Sequence, residues 1–405
     1  MIAQLKTSLI QSALPGYDLL PVSKAKTRVI LLRHGRSTLN DQGRYQGSSD
    51  NSELTAAGDA ASETLGRYLA HCPIDAVYAS PLKRAQQTVA ALLPQLKVPP
   101  MRDVVTTPLL KEMHLPEWEG LQYTEVQSRF ADLYHRWQTH PDQVQMQTVN
   151  AAGAAVSHHP VRDVYERSQE FWQSVLPHHA GQTILVVGHG SSNQALINTA
   201  LNLPSSKHHA LQQTHSGLTV LDVPTALDRA AHLHLLNATL SARLPKLKAG
   251  KQGLRLLLLP CGDYRADAKA ITALLENETV HAAIIEDPAA SAHRPALPPI
   301  VADQILQNHP ETIRLAVQQM QLSQYWQAAI QRSLTTYDHD QLTTLLIVGQ
   351  TATLQAGFSS LIQWPQQVAN PQLQPYRLTT IHYPKAHPRP ILQGFNLVPL
   401  PPPQI

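Results

Sequence analysis

Residues 29–40 read Val29-Ile-Leu-Leu-Arg33-His34-Gly35-Arg36-Ser-Thr-Leu-Asn40. Four apolar residues run straight into an Arg-His pair and then a glycine. A short apolar run closed by a turn signal is the pattern of a strand buried on both faces. Its charged end then lies at the carboxyl edge of a sheet, where open α/β folds bind their ligands. The same arrangement recurs twice. Ile74–Ala79 leads into Ser80-Pro-Leu-Lys-Arg84, and Thr183–Val187 leads into Gly188-His189-Gly190. Helix-period segments separate these strands. One runs from about Leu54 to Ala70 with Ala61, Leu65 and Leu69 on one face, and the others cover Ala85–Leu93, Tyr123–Gln138, Val161–Leu176 and Asn193–Leu201. Leu109–Gly120 reads as a short strand and loop, and 140–160 is the least patterned stretch. The alternation predicts an α/β fold, a mostly parallel central sheet covered by helices on both faces.

The chain has 405 residues, which predicts two domains rather than one. A 43% apolar content suits a globular protein, and no apolar run reaches membrane-spanning length. Only Cys72 and Cys261 are present, so a disulfide framework or a structural zinc site is not expected and a cytoplasmic location is. A formal charge of +3 without a block of Lys or Arg gives no support for nucleic-acid binding. The 21 histidines are scattered rather than set at metal-pair spacing. Residues 1–26 lack signal-peptide character and read as an N-terminal extension.

A basic stretch at 244–253 reads as a linker, with one domain over 27–243 and a second over 254–405. The second resembles a repeat of the first. R-V-I-L-L-R-H-G from Arg28 aligns with R-L-L-L-L-P-C-G from Arg255, setting Pro260 opposite Arg33 and Cys261 opposite His34. T-I-L-V-V-G-H from Thr183 aligns with T-L-L-I-V-G-Q from Thr344, setting Gln350 opposite His189. Ser291 falls opposite Arg84, and the L-T-V-L-D-V-P tail opposite L-T-T-I-H-Y-P. Every charged strand-end residue of the first copy is missing from the second, which therefore reads as degenerate. Cys261 follows four leucines with no flanking Arg, the setting of a buried small residue rather than a reactive thiol.

Transfer of a phosphoryl group needs a nucleophile, positive charge around the equatorial oxygens and a proton for the leaving oxygen. His34 supplies a neutral imidazole, with a backbone hydrogen bond on its other nitrogen expected to hold the tautomer. Arg33 and Arg84 can grip phosphate through two parallel N–H groups, as Lys cannot. His189 adds a second imidazole and Asn40 an amide donor. With that much positive charge, no metal or other cofactor is expected.

Four elements, R-H-G-x-S-x-x-N, S-P-L-x-R-A-x-x-T, L-x-E-x-x-x-x-x-W-E-G and V-V-G-H-G, occur in the order in which they stand in the histidine phosphatase superfamily, the phosphoglycerate mutase-like proteins. The resemblance covers about 27–243. It implies a three-layer sandwich in each of two domains, His34 as nucleophile, and Arg33, Arg84, His189 and Asn40 as the phosphate pocket. It also implies Glu112 as the acid/base group. Pro116 and Ser191 stand where many members have Gly. Mutase members carry a long Arg- and Pro-rich insertion after W-E-G that is lacking here, so the resemblance is to the phosphatase branch.

Further strings, among them Q-G-S-S-D-x-S-x-L-T, S-P-L-K-R and N-Q-A-L, are similar to a two-domain plant branch. That implies a small phosphorylated carboxylic acid as substrate, 2-carboxy-D-arabinitol 1-phosphate first and phosphoserine as the alternative, in a photosynthetic cell such as a cyanobacterium. Gln46, Arg36, His114, Arg162 and His215 are the candidates for reading the substrate beyond its phosphate. A mutase, and a non-catalytic metabolite-binding or regulatory protein with a dimerising second domain, are the competing readings.

Overall fold

A computed structural model describes residues 14, 17, 19–96, 104–150, 152–240, 243–262, 269–287, 297–336, 340–385, 387 and 389–399. The chain divides into two compact units. The first holds residues up to His208 together with Gln213–His232, and the second His209–Gln212 and Leu233–Pro399. Among the described residues no helix is long and apolar enough to cross a membrane.

The first unit is built on strands β1 (Lys26–Arg33), β2 (Ala76–Ala79) and β3 (Val105–Thr106). A separate hairpin, β4 (Met146–Val149) and β5 (Ala155–His158), precedes β6 (Thr183–Gly188) and β7 (Leu218–Pro224). The sheet order is β7-β1-β6-β2-β3, with β7 antiparallel and the rest parallel. Every residue of β1 from Thr27 to Arg33 is buried, as an apolar run inside a parallel sheet demands. Register then does the positioning. Arg33 pairs with Gly188 and Ala79 with Val187, so the ends of β1, β6 and β2 finish level. Helix Ala56–Tyr68 starts at Thr55, whose hydroxyl accepts the Gly58 N–H. Helix Pro160–Val175 buries Val161, Val164, Tyr165, Ser168, Phe171, Trp172 and Val175, one stripe along its length.

Three sequence expectations need correction in this unit. The helix expected over Tyr123–Gln138 is two helices, Tyr123–Arg129 and Ala131–Thr139, broken at Phe130 with φ −119° and ψ 40°. The break lets Phe130, Leu133, Tyr134 and Trp137 all pack on the cluster around buried Trp118. The strand expected at Leu109 is a 3₁₀ turn, Pro108–Leu110, because Pro108 has no N–H to give a ladder; the edge strand is β3, just before it. The unpatterned 140–160 stretch contains the β4–β5 hairpin, turned by Asn150, whose Oδ1 accepts the Ala152 and Ala154 N–H groups, and by Gly153 at φ +81°.

The second unit contains β8 (His232–Ala238), β9 (Gly253–Cys261), β10 (Ala282–Glu286), β11 (Ile313–Val317), β12 (Leu342–Gln350), β13 (Leu378–Tyr383) and β14 (Ile391–Leu397). Its order is β11-β10-β12-β9-β13-β14-β8, with β13 antiparallel to β9 and β9, β12, β10 and β11 parallel. Substituting β9, β12, β10, β11 and β13 for β1, β6, β2, β3 and β7 gives the order of the first sheet. The registers agree too. Pro260 pairs with Gly349 as Arg33 pairs with Gly188, and Arg255 pairs with His382 as Arg28 pairs with Asp222.

The stretch 244–253, expected as a linker, is tied into this second unit. Leu244 is buried, and the Gln212 side chain donates to Lys246 O and accepts from Lys248 N. Ser291 and most of the expected N-terminal extension lie outside the described residues.

Candidate active site

The level ends of β1, β2 and β6 gather Arg33, His34, Ser80 and His189. His34 is buried, and its Nδ1 lies 2.6 Å from the carbonyl oxygen of Gly35. A carbonyl can only accept, so Nδ1 carries the hydrogen and the neutral ring keeps its lone pair on Nε2. The backbone around it is fixed by His34 N–H to Gly188 O (2.9 Å) and Gly35 N–H to Thr88 Oγ1 (3.0 Å). Glycine is required at 35 because a Cβ would come within 2.7 Å of Gly58 O.

His189 is fully buried, with its ring centroid 5.1 Å from that of His34. Its Nε2 lies 2.7 Å from Ser80 Oγ, which also receives the Leu82 N–H. A Ser80 O–H donated to Nε2 leaves Nδ1–H as a donor inside the cluster. Burial, reinforced by Arg84, His34 and Arg33, holds the His189 pKa well below its ordinary value. At neutral pH it is an uncharged donor.

Two guanidinium groups complete the positive side. Arg33 gives one Nη1–H to Gln213 O (2.9 Å), and burial lowers its pKa while Glu112 opposes the shift. Arg84 enters from the first turn of helix Lys83–Leu92 and is 1% exposed. Its Nη1 and Nη2 donate to Ser49 O (3.2 Å) and Gly47 O (3.0 Å). Burial brings its pKa down to about 10, opposed by Glu112 and assisted by the like charge of Arg33. Arg33 Nε, Arg84 Nε and His189 Nδ1 are all buried with no hydrogen-bond partner in the protein. Buried donors are ordinarily satisfied, so three left over in one cluster fit an absent anionic acceptor. A tetrahedral oxyanion offers the acceptors and the negative charge that this set lacks.

Glu112 is the carboxylate whose field reaches both guanidinium groups. It is buried and accepts N–H from Met113 (2.9 Å), Ser191 (3.2 Å) and Ser192 (3.1 Å), which seats it on the N-terminus of helix Gly190–Ala200. A carboxylate held on the helix that follows His189, with its field on both guanidinium groups, is placed to exchange a proton with a group leaving or attacking a bound phosphorus.

The remaining expected residues divide. Asn40 and Gln46 both turn their side-chain oxygens to Ser37 Oγ, at 2.8 and 3.0 Å, so they brace the segment after His34. His215 lies beside His34, ring centroids 5.8 Å apart. His114 bridges the Ser48 loop and strand β4, with Nδ1 on Ser48 Oγ (3.0 Å) and Nε2 on Thr148 Oγ1 (3.2 Å), and its ring packs on His158. Arg36 is turned outward and ion-paired with Asp41. Arg162 is corrected: its Nε donates to Asp142 O, and it lines a separate cleft of about 520 Å³ with Tyr165, Glu166, Thr199 and Asn202, away from His34. It sits in the first turn of helix Pro160–Val175.

Sequence reasoning missed Ser80, Glu119 and the carbonyls of Gly47, Ser49 and Gln213. Ser80 stands in the quoted S-P-L string and Glu119 in W-E-G, so both were in view; the carbonyls have no side-chain signal. Among the described residues no group of three His, Cys, Asp or Glu side chains is placed to hold a metal ion.

The histidine phosphatase superfamily (branch 1) pattern is matched by residues 29–236. The chain is 33% identical over 245 residues to 2-carboxy-D-arabinitol-1-phosphatase of Triticum aestivum, covering 60% of this chain and 46% of that protein. It is 32% identical over 257 residues to a probable 2-carboxy-D-arabinitol-1-phosphatase of Arabidopsis thaliana, covering 62% and 50%. It is 28% identical over 180 residues to phosphoserine phosphatase 1 of Hydrogenobacter thermophilus, covering 44% and 79%. The chain spans about half the length of the two plant proteins. Its family match includes Arg33, His34, Arg84, Glu112 and His189, and the protein belongs to the histidine phosphatase superfamily, branch 1.

Proposed function

We propose that the first unit hydrolyses a small phosphomonoester through a phosphohistidine on His34, without a metal ion. The observation that carries this reading is the set of unpaired buried donors, Arg33 Nε, Arg84 Nε and His189 Nδ1, gathered around a histidine whose tautomer leaves Nε2 nucleophilic. In the first step His34 Nε2 forms a bond to phosphorus as the ester P–O bond breaks. The departing oxygen takes a proton from Glu112. In the second step a water molecule gives a proton to the Glu112 carboxylate and its oxygen attacks phosphorus. The P–N bond breaks, releasing inorganic phosphate and restoring the neutral His34. The guanidinium groups stabilise the equatorial oxygens in both steps.

The substrate class we infer is a phosphorylated carboxylic acid. 2-Carboxy-D-arabinitol 1-phosphate leads because the plant relatives carry that name, and phosphoserine is second on the strength of the bacterial relative. His114, on the loop partner of Ser48, and His215, beside His34, are the side chains best placed to meet the carboxylate. The test is phosphate release from both compounds, 3-phosphoglycerate and sugar phosphates, with chelator present and His34→Ala as control. One strong substrate lost in the variant is expected. Release that the variant retains, or that the chelator abolishes, overturns the mechanism.

A further inference from the structure

We propose that Glu119, the acidic residue of W-E-G, is a positioning residue for Arg84, acting through the backbone of Gly47–Ser49. The proposal rests on the phosphate-pocket reading above. The tripeptide is held from two sides. Its N–H groups at Gly47 and Ser49 both donate to Glu119 Oε1, at 3.0 and 2.8 Å. Its carbonyls at Gly47 and Ser49 both accept from Arg84, at 3.0 and 3.2 Å. One carboxylate thus fixes the donors of a peptide segment whose acceptors fix the guanidinium plane.

The neighbouring residues serve the same end. Asp50 Oδ1 accepts the Lys83 N–H, one residue before Arg84, tying the segment to the start of the helix that carries it. Gly120 N–H donates to Tyr45 O and Tyr45 N–H to Leu121 O, so W-E-G runs alongside the approach to Gly47. Buried Trp118 anchors that strand of contacts in the core. A Cβ at Gly47 would lie 2.8 Å from Glu119 Oε1, so a side chain there would push the carboxylate off its two N–H partners. Glu119 also favours the charged form of Arg84 through space.

Of the five guanidinium hydrogens, the two given to carbonyls set the orientation, and the unpaired Nε–H is what the pocket presents. Without Glu119 the two loop N–H groups turn to water, the carbonyls shift, and the guanidinium rotates in its site. Placement of such a donor within about half an ångström decides the strength of its hydrogen bond. Loss of Glu119 therefore weakens phosphate binding, although Glu119 itself does not touch the phosphate.

The test is calorimetric binding of inorganic phosphate to the full chain, with steady-state hydrolysis beside it. Glu119→Ala is expected to weaken phosphate binding about tenfold, the effect of roughly one good hydrogen bond, and to raise KM more than it lowers kcat. Glu119→Gln, which keeps the acceptor oxygen, stays near wild type. Glu119→Asp, one methylene short, behaves as Ala and covers the case in which Ala fails to fold. Adding Glu119→Ala to Arg84→Met has no further effect on phosphate affinity. An equal loss in both backgrounds, or no loss in the wild-type background, overturns the proposal. A wild-type protein that binds no phosphate overturns the pocket reading and the Glu119 role with it, whereas phosphate binding that Glu119→Ala leaves intact overturns the Glu119 role alone.

Discussion

Replacing Arg84 with Met separates what this residue does for folding from what it does for a ligand. Burial brings its pKa from 12.5 down to about 10, which corresponds to roughly 3 kcal/mol of unfavourable cation burial in the empty site. Met removes that term. It also strips Gly47 O and Ser49 O of their donors, which costs about 1–3 kcal/mol. The two effects nearly cancel, so the empty variant should unfold at close to the wild-type temperature. Phosphate binding should respond quite differently. One charge-assisted hydrogen bond at about 1.5–3 kcal/mol disappears, a loss of at least about tenfold in affinity. Calorimetry with inorganic phosphate reads the second effect and thermal unfolding of the ligand-free chain reads the first. An affinity within about threefold of wild type would refute the claim that the unpaired Arg84 donor belongs to a phosphate pocket. A collapse of the ligand-free protein would refute the bookkeeping that sets desolvation against the carbonyl contacts.

Ser80→Ala removes the hydrogen bond that selects the His189 tautomer; kcat should fall about tenfold with the fold intact, and ring-nitrogen NMR should show His189 sampling both tautomers. His189 is held neutral in the folded protein, so below its ordinary pKa the unfolded chain binds a proton that the folded chain does not. Stability should therefore decline as pH falls below about 6.5, and His189→Gln should lessen that slope in denaturant titrations; an unchanged slope contradicts the depressed pKa. In the second unit, Glu286→Ala removes a fully buried carboxylate that accepts the Gln350 N–H and the Thr353 hydroxyl, and should cost about 1–3 kcal/mol of stability while phosphate release stays at the wild-type level.

The parts of this molecule that were legible from sequence are those with a strong local signal. Val29–Leu32, Ile74–Ala79 and Thr183–Val187 are apolar runs ended by Arg, Ser-Pro or Gly-His, and each holds a parallel strand with its motif at the same edge, the first and third buried throughout and the second, Ala76–Ala79, at every other residue. The hairpin at 146–158 was not legible because only Met146 of its strands is buried and Val149 is 66% exposed, so no continuous apolar face is written in them. The break at Phe130 is a tertiary effect, set by packing on Trp118 rather than by any helix-stopping residue. Arg162 misled because charge and proximity in sequence to a pocket loop say nothing about direction: at the first turn of its helix it points to the Asp142 carbonyl. Glu119 was read as part of a motif without a role, since its partners are two backbone N–H groups that no side-chain pattern announces.

The two sheets share strand order and register and differ in the residues at the strand ends. By strand order and register, β10 ends at Glu286 where β2 is followed by Ser80, and β12 ends at Gln350 where β6 is followed by His189. In the first unit the Ser80 hydroxyl lies against the His189 imidazole, and Arg33 Nε, Arg84 Nε and His189 Nδ1 have no partner in the protein. In the second, Glu286 brings the negative charge covalently: its carboxylate takes the Gln350 N–H at 2.6 Å and the Thr353 hydroxyl at 3.2 Å, at the N-terminus of helix Thr351–Leu361. Pro260 stands where Arg33 would supply a cation. Cys261, at the position of the nucleophile, has its thiol pushed up to about 12 by burial and by the field of Glu286, so it is no thiolate at neutral pH. An internal carboxylate in place of a hydroxyl, and Pro260 in place of Arg33, set this edge apart from the first while leaving the strand order and register of the sheet intact.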